Sequence, residues 1–337
     1  MSSYAAVEVT EQRVFRIVQR ERVQPGPGRV RVKVEACGVC HTDALAVEGM
    51  RADPSTPIVP GHEIVGVIEE IGPGAEPWRV GDRVGIGFLG GQCGKCDSCR
   101  RGDYVNCDQQ PTTGTSVDGG YAEVTYAAAN GLVRIPDGMA ATDAPLLCAG
   151  LTSFVGLRRA AAAPGALVAV QGIGGLGHLA LQYASKLGYR VAAVARGTAK
   201  EKLSRELGAD FYIDSEAEDP GQALRALGGA AAVLATASHG GSMAPLVSGL
   251  APNGHLVVLG AAADPIPVLT TDLIFGTRTI SGSLTGSSID NEDNLRFSHA
   301  AGVRPMTEVL PLAEAEAGYL RMMSGEARFR VVLDPTL

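Results

Sequence analysis

Four cysteines within one short segment constrain the fold of this chain more than any other feature. They are Cys93, Cys96, Cys99 and Cys107, with the spacing C-x2-C-x2-C-x7-C. Two intervening residues allow the backbone to turn so that neighbouring sulfurs face inward, and four thiolates form the closed tetrahedral site that zinc occupies in structural roles. The segment is rich in glycine, lysine and arginine, so we expect a bound metal to hold its shape. An iron–sulfur cluster is the main alternative, and a disulfide pair is the simpler one.

The length and composition of the chain narrow the class of protein. Its 337 residues exceed what one hydrophobic core usually holds, so we expect two domains. A net charge of −7 without a block of lysine or arginine argues against nucleic-acid and acidic-membrane partners. The first residues lack a secretory signal pattern, and no run of about 18 apolar residues suggests a membrane span. Seven cysteines are an odd number, which favours a reducing cytoplasm over a disulfide framework.

The first part of the chain has the alternating pattern of antiparallel strands. Apolar and other residues alternate in Arg29–Glu35, which follows a Pro-Gly loop, and a further strand is predicted at Ile64–Ile71. No linker rich in serine or glycine separates this part from the next. The boundary is a change of period near residues 145–165.

Strand and helix patterns then alternate along the chain. Helical spacing is present at Leu176–Leu187 and Lys200–Gly208. Apolar strands are predicted at 166–171, 190–195, 211–214, 231–236, 255–260 and 279–283. Six strands with crossover helices are typical of a doubly wound dinucleotide-binding fold. After about residue 290 the pattern becomes mixed, and we predict that the tail returns to complete the first domain.

A glycine-rich motif lies where the first of these strands meets its helix. The motif reads Gly172-Ile-Gly-Gly-Leu-Gly177 and includes Gly174, Gly175 and Leu176. A tight turn, close approach to a pyrophosphate and contact between helix and strand each need a residue without a Cβ atom. The helix N-terminus supplies backbone donors for the anion. A glycine-rich loop of no special function is the alternative, but the strand–turn–helix context favours a nicotinamide dinucleotide.

The residues after the second strand indicate which dinucleotide is bound. NAD enzymes usually carry Asp or Glu where this chain has Ala195, to bind the ribose 2′-hydroxyl. Without that carboxylate, Arg196 can contact a 2′-phosphate, with Thr198 and Lys200 as helpers. The simpler interpretation is a solvated helix start with incidental positive charge. We predict NADP(H) in preference to NAD(H).

Three further residues suggest a second metal site. Cys40, His62 and Cys148 are far apart in sequence, and each lies at a chain reversal suited to presenting one ligand. Two thiolates and one imidazole leave a fourth zinc position for water or substrate, as in catalytic sites. Spacing alone does not identify this set, because an isolated histidine or cysteine is more often a core residue.

Several motifs together resemble the zinc-dependent medium-chain dehydrogenase/reductase family, the alcohol dehydrogenases, over essentially the whole chain. They are Gly38-Val-Cys-His-Thr-Asp43, Gly61-His-Glu63, Gly90-Gly-Gln-Cys-Gly-Lys-Cys96, Leu147-Cys-Ala-Gly-Leu-Thr152 and Gly172–Gly177. The resemblance implies an α/β protein: a mainly-β GroES-like catalytic domain plus a Rossmann domain with a doubly wound parallel sheet. The expected boundaries are 1–147, with a zinc lobe at 90–110 and completion by 290–337, and 148–289 for the Rossmann domain.

The resemblance also implies two zinc ions per chain. Cys40, His62 and Cys148 would hold the catalytic ion, with Glu63 behind it as an alternative or transient ligand. Asp43 would bind the free nitrogen of His62 and fix its tautomer. The four cysteines of the lobe would hold the structural ion.

Other roles follow from the same resemblance. Thr42 would take the proton from the alcohol, His41 would approach the cofactor pyrophosphate, Thr152 the nicotinamide, and Arg328 the cofactor from the returning tail. Zinc would act as a Lewis acid on the substrate oxygen, while the nicotinamide carries the hydride.

The sequence departs from the family in two places. Leu45 stands where many members have a histidine that passes the proton to solvent, so we do not expect a long side-chain relay. Met50 and Phe88 stand where tryptophans are common in primary-alcohol enzymes, and Thr115 where a larger ring is usual. We therefore expect a roomier pocket for bulky or aromatic substrates.

The resulting prediction is a zinc alcohol dehydrogenase or aldehyde reductase that uses NADP(H). A zinc-containing reductase of imines or activated alkenes is the main alternative. A non-catalytic NADPH-binding protein is a further one, disfavoured by the retained ligands. The family resemblance also implies a homodimer or homotetramer, paired through the strand from Thr279.

Overall fold

The structure is a computed structural model that describes residues 3–337. Residues 1 and 2, the start of the stretch on which the sequence predicts no secretory signal, lie outside the described residues. The chain divides into two compact units. One comprises the residues up to Cys148 together with 286–299 and 304–337, and the other comprises 149–285 and 300–303.

The first unit begins with strands and two very short helices. Its elements before Cys148 are β1 (Ser3–Glu11), β2 (Val14–Glu21), β3 (Arg29–Val39), α1 (Ala44–Val47), β4 (Glu63–Ile71), β5 (Arg83–Ile86), α2 (Asp97–Arg100), β6 (Val124–Ala128) and β7 (Leu132–Arg134). Short 3-10 helices lie at His41–Asp43, Tyr104–Asn106, Ala129–Gly131 and Ala141–Leu147.

The second unit alternates strands and helices. Its elements are α3 (Ala149–Ala160), β8 (Leu167–Gln171), α4 (Gly177–Lys186), β9 (Arg190–Ala195), α5 (Glu201–Glu206), β10 (Phe211–Asp214), α6 (Pro220–Ala226), β11 (Ala230–Ala235), α7 (Gly240–Ser248), β12 (Leu250–Val258), α8 (Thr270–Ile274) and β13 (Thr279–Gly282). The strands are parallel, in the order β10-β9-β8-β11-β12-β13. From β8 the chain first adds strands on one side, β9 and β10, and then on the other, β11 to β13. This order is that of a doubly wound sheet and confirms the predicted fold class.

The tail after residue 285 adds elements to the first unit, apart from residues 300–303, which belong to the second. The elements of the tail are α9 (Ser288–Ala301), β14 (Thr307–Pro311), a 3-10 helix at Leu312–Glu314, α10 (Ala315–Met323) and β15 (Arg330–Asp334). β15 pairs antiparallel with β3 and parallel with β14. The seven-stranded sheet has the order β14-β15-β3-β4-β5-β7, with β6 also on β3, so the tail places β15 directly beside the central strand of this unit.

Burial patterns explain the two kinds of sheet. All five residues of β8 are buried, as expected for a strand covered on both faces. The start of β3 alternates between less buried and buried positions, as expected for an antiparallel strand with one face on the core. Strand β12 begins at Leu250, earlier than the predicted residue 255, because its first residue pairs with Ala230 before the register shifts. None of the helices within residues 3–337 combines the length and apolar character needed to cross a bilayer.

Candidate metal centres and cofactor site

The four cysteines of the lobe converge in the structure. One ligand atom from each of Cys93, Cys96, Cys99 and Cys107 lies within 4.8 Å of all the others. The two sulfurs of Cys93 and Cys99 are 4.0 Å apart. Two sulfurs bound at about 2.3 Å to one tetrahedral ion would lie about 3.8 Å apart, so this geometry fits zinc. All seven cysteines of the chain are free thiols, so the disulfide alternative is not realised here.

The local backbone of the lobe turns its N–H groups toward the sulfurs. The N–H of Cys96 donates to Cys93 Sγ at 3.4 Å, and the N–H of Cys93 donates to Cys107 Sγ at 3.3 Å. The N–H groups of Lys95 and Cys96 lower the pKa of Cys93 to about 6, whereas burial raises the pKa of Cys99 to about 12. A bound cation would favour the thiolate form of all four cysteines and would offset the repulsion between them.

A second cluster is assembled from distant parts of the chain. Cys40 follows β3, and Cys148 follows the 3-10 helix at Ala141–Leu147. His62 lies just before β4, which begins at Glu63. Each contributes one ligand atom, all within 4.8 Å of one another, and all four residues are buried. The antiparallel pairing of β3 with β4 aligns Gly38 with Glu63 and so brings the first three ligands to one place. A Cβ atom on Gly38 would collide with the Glu63 carboxylate, which explains the glycine.

The donor atoms of this cluster also fit a zinc ion. The sulfurs of Cys40 and Cys148 are 3.9 Å apart, close to the separation of about 3.8 Å for two thiolates on one tetrahedral ion. His62 is fully buried, and neither ring nitrogen has a hydrogen bond of good geometry in the described residues. Its Nδ1 lies 2.9 Å from Asp43 Oδ1, while Nε2 is left without a partner. A buried nitrogen without a partner is costly unless a cation occupies the site.

The negative charge of Glu63 in the second cluster is balanced by a buried arginine. Arg330 on β15 donates to both carboxylate oxygens of Glu63, at 2.6 and 2.7 Å. Burial raises the pKa of Glu63 to about 7, although Arg330 opposes the shift. The thiol of Cys148, which can donate to Cys40 Sγ, holds the pKa of Cys40 well below its usual value, and the same contact raises the pKa of Cys148.

Two residues that sequence analysis did not select contribute to this cluster. Arg330 is only 3% exposed, and an arginine that opens a strand with the buried apolar residues 331–333 is a signal of a buried acidic partner. Tyr121 donates its hydroxyl to Asp43 Oδ2 at 2.8 Å, and no sequence pattern indicated that contact. Arg328, which was selected, is exposed and donates to the carbonyl oxygens of Gly325 and Ala327.

The remaining catalytic candidates lie beside the cluster. His41 and Thr42 follow Cys40 in the 3-10 helix that ends at Asp43. His41 is exposed and Thr42 is half-buried. The roles that the sequence assigned to both side chains stay predictions.

The predicted pocket residues line one cavity. Met50, Phe88, Thr115 and Leu45 belong to the lining of a cavity of about 710 Å³ within the first unit. The Phe88 ring packs edge-on against His62, with 5.3 Å between ring centroids. The cavity wall therefore includes a residue in contact with a candidate metal ligand.

The glycine-rich motif has the geometry expected for binding a dinucleotide. Gly172 follows β8 with φ +88°, and a Cβ atom on Gly177 would collide with the carbonyl oxygen of Gly172. A Cβ atom on Gly174 would meet nothing within 4 Å, so the loop is open at that point. Gly175 and Leu176 complete the turn before α4 begins at Gly177. The first and last glycines are explained by the turn and by helix packing, and Gly174 leaves space for a ligand.

The residues after β9 lie beside this loop. Lys200 Nζ donates to the carbonyl oxygen of Ile173 at 2.7 Å, which joins the segment after β9 to the glycine-rich turn. Arg196 and Thr198 are exposed, and Arg196 makes no hydrogen bond or ion pair within residues 3–337. Thr152, on α3 of the same unit, has its hydroxyl 3.5 Å from the carbonyl oxygen of Leu284.

Two protein-family models match this chain, one in the part that carries the four-cysteine lobe and one in the part with alternating strands and helices. The model of the alcohol dehydrogenase GroES-like domain matches residues 26–137, and the model of the zinc-binding dehydrogenase matches residues 175–300.

Curated and solved relatives match nearly the whole chain. An alcohol dehydrogenase of Aspergillus sp. (strain MF297-2) is 43% identical over 92% of this chain and 91% of its own length. An alcohol dehydrogenase of Geobacillus stearothermophilus is 39% identical over 98% of both chains. The crystal structure of a protein named CAD from Helicobacter pylori, complexed with NADP(H), superposes with a TM-score of 0.88 at 25% identity, over 99% of this chain and 98% of that one.

Proposed function

This chain belongs to the zinc-containing medium-chain alcohol dehydrogenase family, and we propose that it transfers hydride between NADP(H) and a bulky or aromatic alcohol or aldehyde. The observation that carries this proposal is the buried convergence of Cys40, His62 and Cys148, with Glu63 beside them. Two thiols and one imidazole form the ligand set of a catalytic zinc with an open position.

The residues of the second cluster would hold the zinc and set its charge. Bound zinc would supply a Lewis acid for the substrate oxygen, and a bound nicotinamide would supply or accept the hydride. Cys40, His62 and Cys148 would be the ligands. Glu63, neutralised by Arg330 at 2.6 Å, would stand behind them as an alternative ligand.

Thr42 would exchange a proton with the substrate oxygen through its hydroxyl. It lies in the 3-10 helix between Cys40, a candidate ligand, and Asp43, which contacts His62. Leu45 cannot carry the proton further, because its side chain has no ionisable group. The proton would therefore leave through the cofactor ribose or water.

The segment after β9 supports NADP(H) as the cofactor. Ala195 carries no carboxylate to repel a 2′-phosphate, and the Arg196 guanidinium is exposed and unpaired in the described residues. Lys200 adds a second cation beside the glycine-rich loop. The solved relative that contains NADP(H) is consistent with this choice.

The cavity supports a substrate larger than ethanol. Met50 and Thr115 leave room where larger rings would fill it, within a volume of about 710 Å³. The Met50→Trp and Thr115→Phe variants should lower the kcat/KM ratio of benzyl alcohol to ethanol about tenfold or more, by filling that room. An unchanged ratio would refute the pocket assignment. Thr56→Val, at the same cavity, is a control that barely alters volume.

The free edge of the parallel sheet supports a homo-oligomer. Strand β13 ends the sheet order and has no outer neighbour among the described strands. Leu269, Ile274 and Phe275, which precede it, are 69%, 68% and 75% exposed. We propose that this edge pairs with a second copy, because unpaired strand edges and exposed apolar side chains favour association. Light scattering on the purified protein measures whether a dimer or tetramer forms.

The deciding experiment is steady-state reduction of benzaldehyde with NADPH and with NADH, alongside metal analysis of the same preparation. We expect two zinc ions per chain and a strong preference for NADPH. In the Arg196→Ala variant, kcat/KM for NADPH should fall roughly tenfold or more with little change for NADH, as a charge-assisted hydrogen bond is lost. Arg205→Ala, which removes an exposed arginine paired with Glu201 on α5, is the matched control.

The outcomes separate the parts of the proposal. Efficient turnover with NADH would refute the 2′-phosphate assignment and leave the dehydrogenase activity standing. Full zinc content without aldehyde turnover would instead direct the search toward an imine or activated-alkene substrate.

A further inference from the structure

The Asp43 carboxylate accepts two hydrogen bonds inside the first unit and lies against the His62 ring. It is fully buried, and its Oδ1 lies 2.9 Å from His62 Nδ1. Its other oxygen, Oδ2, accepts the backbone N–H of Cys40 at 2.9 Å and the hydroxyl of Tyr121 at 2.8 Å. Tyr121 is therefore the side-chain donor that fixes the carboxylate on the side away from the histidine.

The Tyr121 hydroxyl is placed by the same segment that carries His62. The N–H of Tyr121 donates to the carbonyl oxygen of Pro60 at 3.0 Å, and the N–H of Gly120 donates to that of Gly61 at 3.0 Å. Tyr121 has no solvent-exposed surface. Its ring has little freedom, so its hydroxyl position is set by the backbone just before His62.

Gly61 shows how closely the ring and this backbone fit. Gly61 has φ +97°, and a Cβ atom there would collide with the Tyr121 ring and contact Cys37 Sγ at 2.7 Å. The residue before His62 thus lacks a side chain at the place where the ring lies. The glycine of the Gly61-His-Glu63 motif makes room for Tyr121 as well as allowing the turn.

A carboxylate with a single donor would not define one orientation for its neighbour. Burial of a charged group is costly unless hydrogen bonds compensate it, and loss of one donor leaves Asp43 with only the Cys40 N–H on Oδ2. The carboxylate could then rotate away from His62. The imidazole would lose the partner that favours a proton on Nδ1 and leaves Nε2 free for a metal.

We propose that Tyr121 is a positioning residue of the catalytic metal site: its hydroxyl orients Asp43, which in turn holds His62 with Nε2 directed at the ion. The inference rests on the zinc site described under the proposed function. It adds a residue that does not itself touch the metal, the substrate or the cofactor. Its effect should therefore be seen in metal retention and ligand geometry before it is seen in turnover.

The test uses the full-length Tyr121→Phe protein, which keeps the ring and removes only the hydroxyl. Zinc release to a chromogenic chelator is measured in two phases, one for each cluster, and the second cluster is also loaded with cobalt(II) for its absorption spectrum. We expect the metal of the Cys40 cluster to leave about tenfold faster. The cobalt bands should shift, while release from the four-cysteine lobe should keep its wild-type rate.

Tyr319→Phe is the matched control. Tyr319 is also a buried tyrosine of the same hydrophobic core, and its hydroxyl donates to the Glu48 carboxylate at 3.1 Å. We expect its metal release and cobalt spectrum to be those of the wild type. The pair of variants thus separates loss of any buried hydroxyl from loss of the one on Asp43.

Each other result overturns the inference. A wild-type rate of zinc release and a wild-type cobalt spectrum in Tyr121→Phe would show that Asp43 keeps its orientation without the Tyr121 hydroxyl. Equal acceleration at both clusters, or in the Tyr319→Phe protein as well, would indicate general destabilisation. If instead the wild-type protein held no metal that depends on Cys40, the proposed function itself would fail, which is a separate outcome.

Discussion

The two candidate metal-binding clusters of this protein are built in opposite ways. The lobe takes all its ligands from residues 93–107, and Cys93 and Cys96 are only partly buried. The other cluster joins Cys40 and Cys148, which are 108 positions apart, and is entirely buried. The sulfurs of the lobe accept hydrogen bonds from its own backbone N–H groups. The buried cluster is supported by Asp43, which closely follows Cys40, and by Tyr121 and Arg330 from distant parts of the chain.

The comparison separates two uses of metal. A cluster made of one short segment with almost no apolar residues gains its shape from the ion, and a closed set of four thiolates has no position for a substrate. A cluster set into a sheet core gains its shape from the surrounding fold and can leave one position open. We therefore expect damage to the lobe to reduce stability and damage to the buried cluster to reduce activity.

The largest effect should come from the Cys40→Ser substitution. It removes one thiolate from the open cluster, so zinc should fall from two ions per chain to one and aldehyde reduction should fall by about a thousandfold or more, because the Lewis acid is lost. Metal analysis and steady-state kinetics measure both quantities.

Cys37→Ser is the control for that substitution. Cys37 is also a buried free thiol of this region, but it is not part of the cluster. The Cys37→Ser protein should retain both zinc ions. Two ions per chain in the Cys40→Ser protein would break the comparison, because the buried cluster would then hold its metal without that thiolate.

The next largest effect should be on stability, through the Arg330 charge that pairs with Glu63. In Arg330→Met, the Glu63 carboxylate is left buried without its partner, and we expect the free energy of unfolding to fall by about 3 kcal/mol. Urea denaturation measures the change.

The Arg321→Met protein is the matched comparison, because Arg321 pairs with Glu308 where the side chains are 41% and 30% exposed. Removing that pair should lower the free energy of unfolding much less, because solvent screens an exposed ion pair. Equal losses in the two proteins would show that the Glu63–Arg330 pair is no more important to stability than a surface pair.

The smallest effect on activity should come from the lobe. Cys99→Ser removes one of its two buried ligands, and we expect one zinc per chain, a melting temperature lowered by roughly 5 °C and faster proteolysis within 93–107. The folded fraction should keep nearly all of its kcat/KM.

Ser98→Ala, at the adjacent half-buried position, should change neither metal content nor melting temperature. A loss of activity in Cys99→Ser as large as that in Cys40→Ser would mean that the two clusters are not functionally separate.

The sequence predicted the local features of this protein well. The cysteine spacing of the lobe could be interpreted without knowing the fold. All four residues, Cys93, Cys96, Cys99 and Cys107, lie within one turn-rich segment. The Gly172–Gly177 motif was equally local, since strand, turn and helix follow one another directly. The inner strands β8, β9 and β11 were found from apolar runs, because a strand buried on both faces has no polar alternation to obscure it. The edge strand β13 is only partly buried and is less apolar.

The contacts that organise the buried cluster could not be predicted in the same way. The pairing of β15 with β3 brings Arg330 to Glu63, although the two residues are 267 positions apart. The contact of Tyr121 with Asp43 crosses 78 positions and depends on Gly61 leaving room for a ring. The cavity that Met50, Phe88 and Thr115 line is likewise a product of three separate loops.

The sequence by itself determined the chemistry that is available: two sets of candidate metal-ligating side chains, a glycine-rich turn suited to a dinucleotide and a cationic segment after β9. The tertiary structure alone decided which buried charges compensate one another and which side chains hold the ligands in place. The reason is that ligand type and short-range spacing are properties of the chain. The burial of a charge and the partner that neutralises it depend on which strands become neighbours when the chain folds.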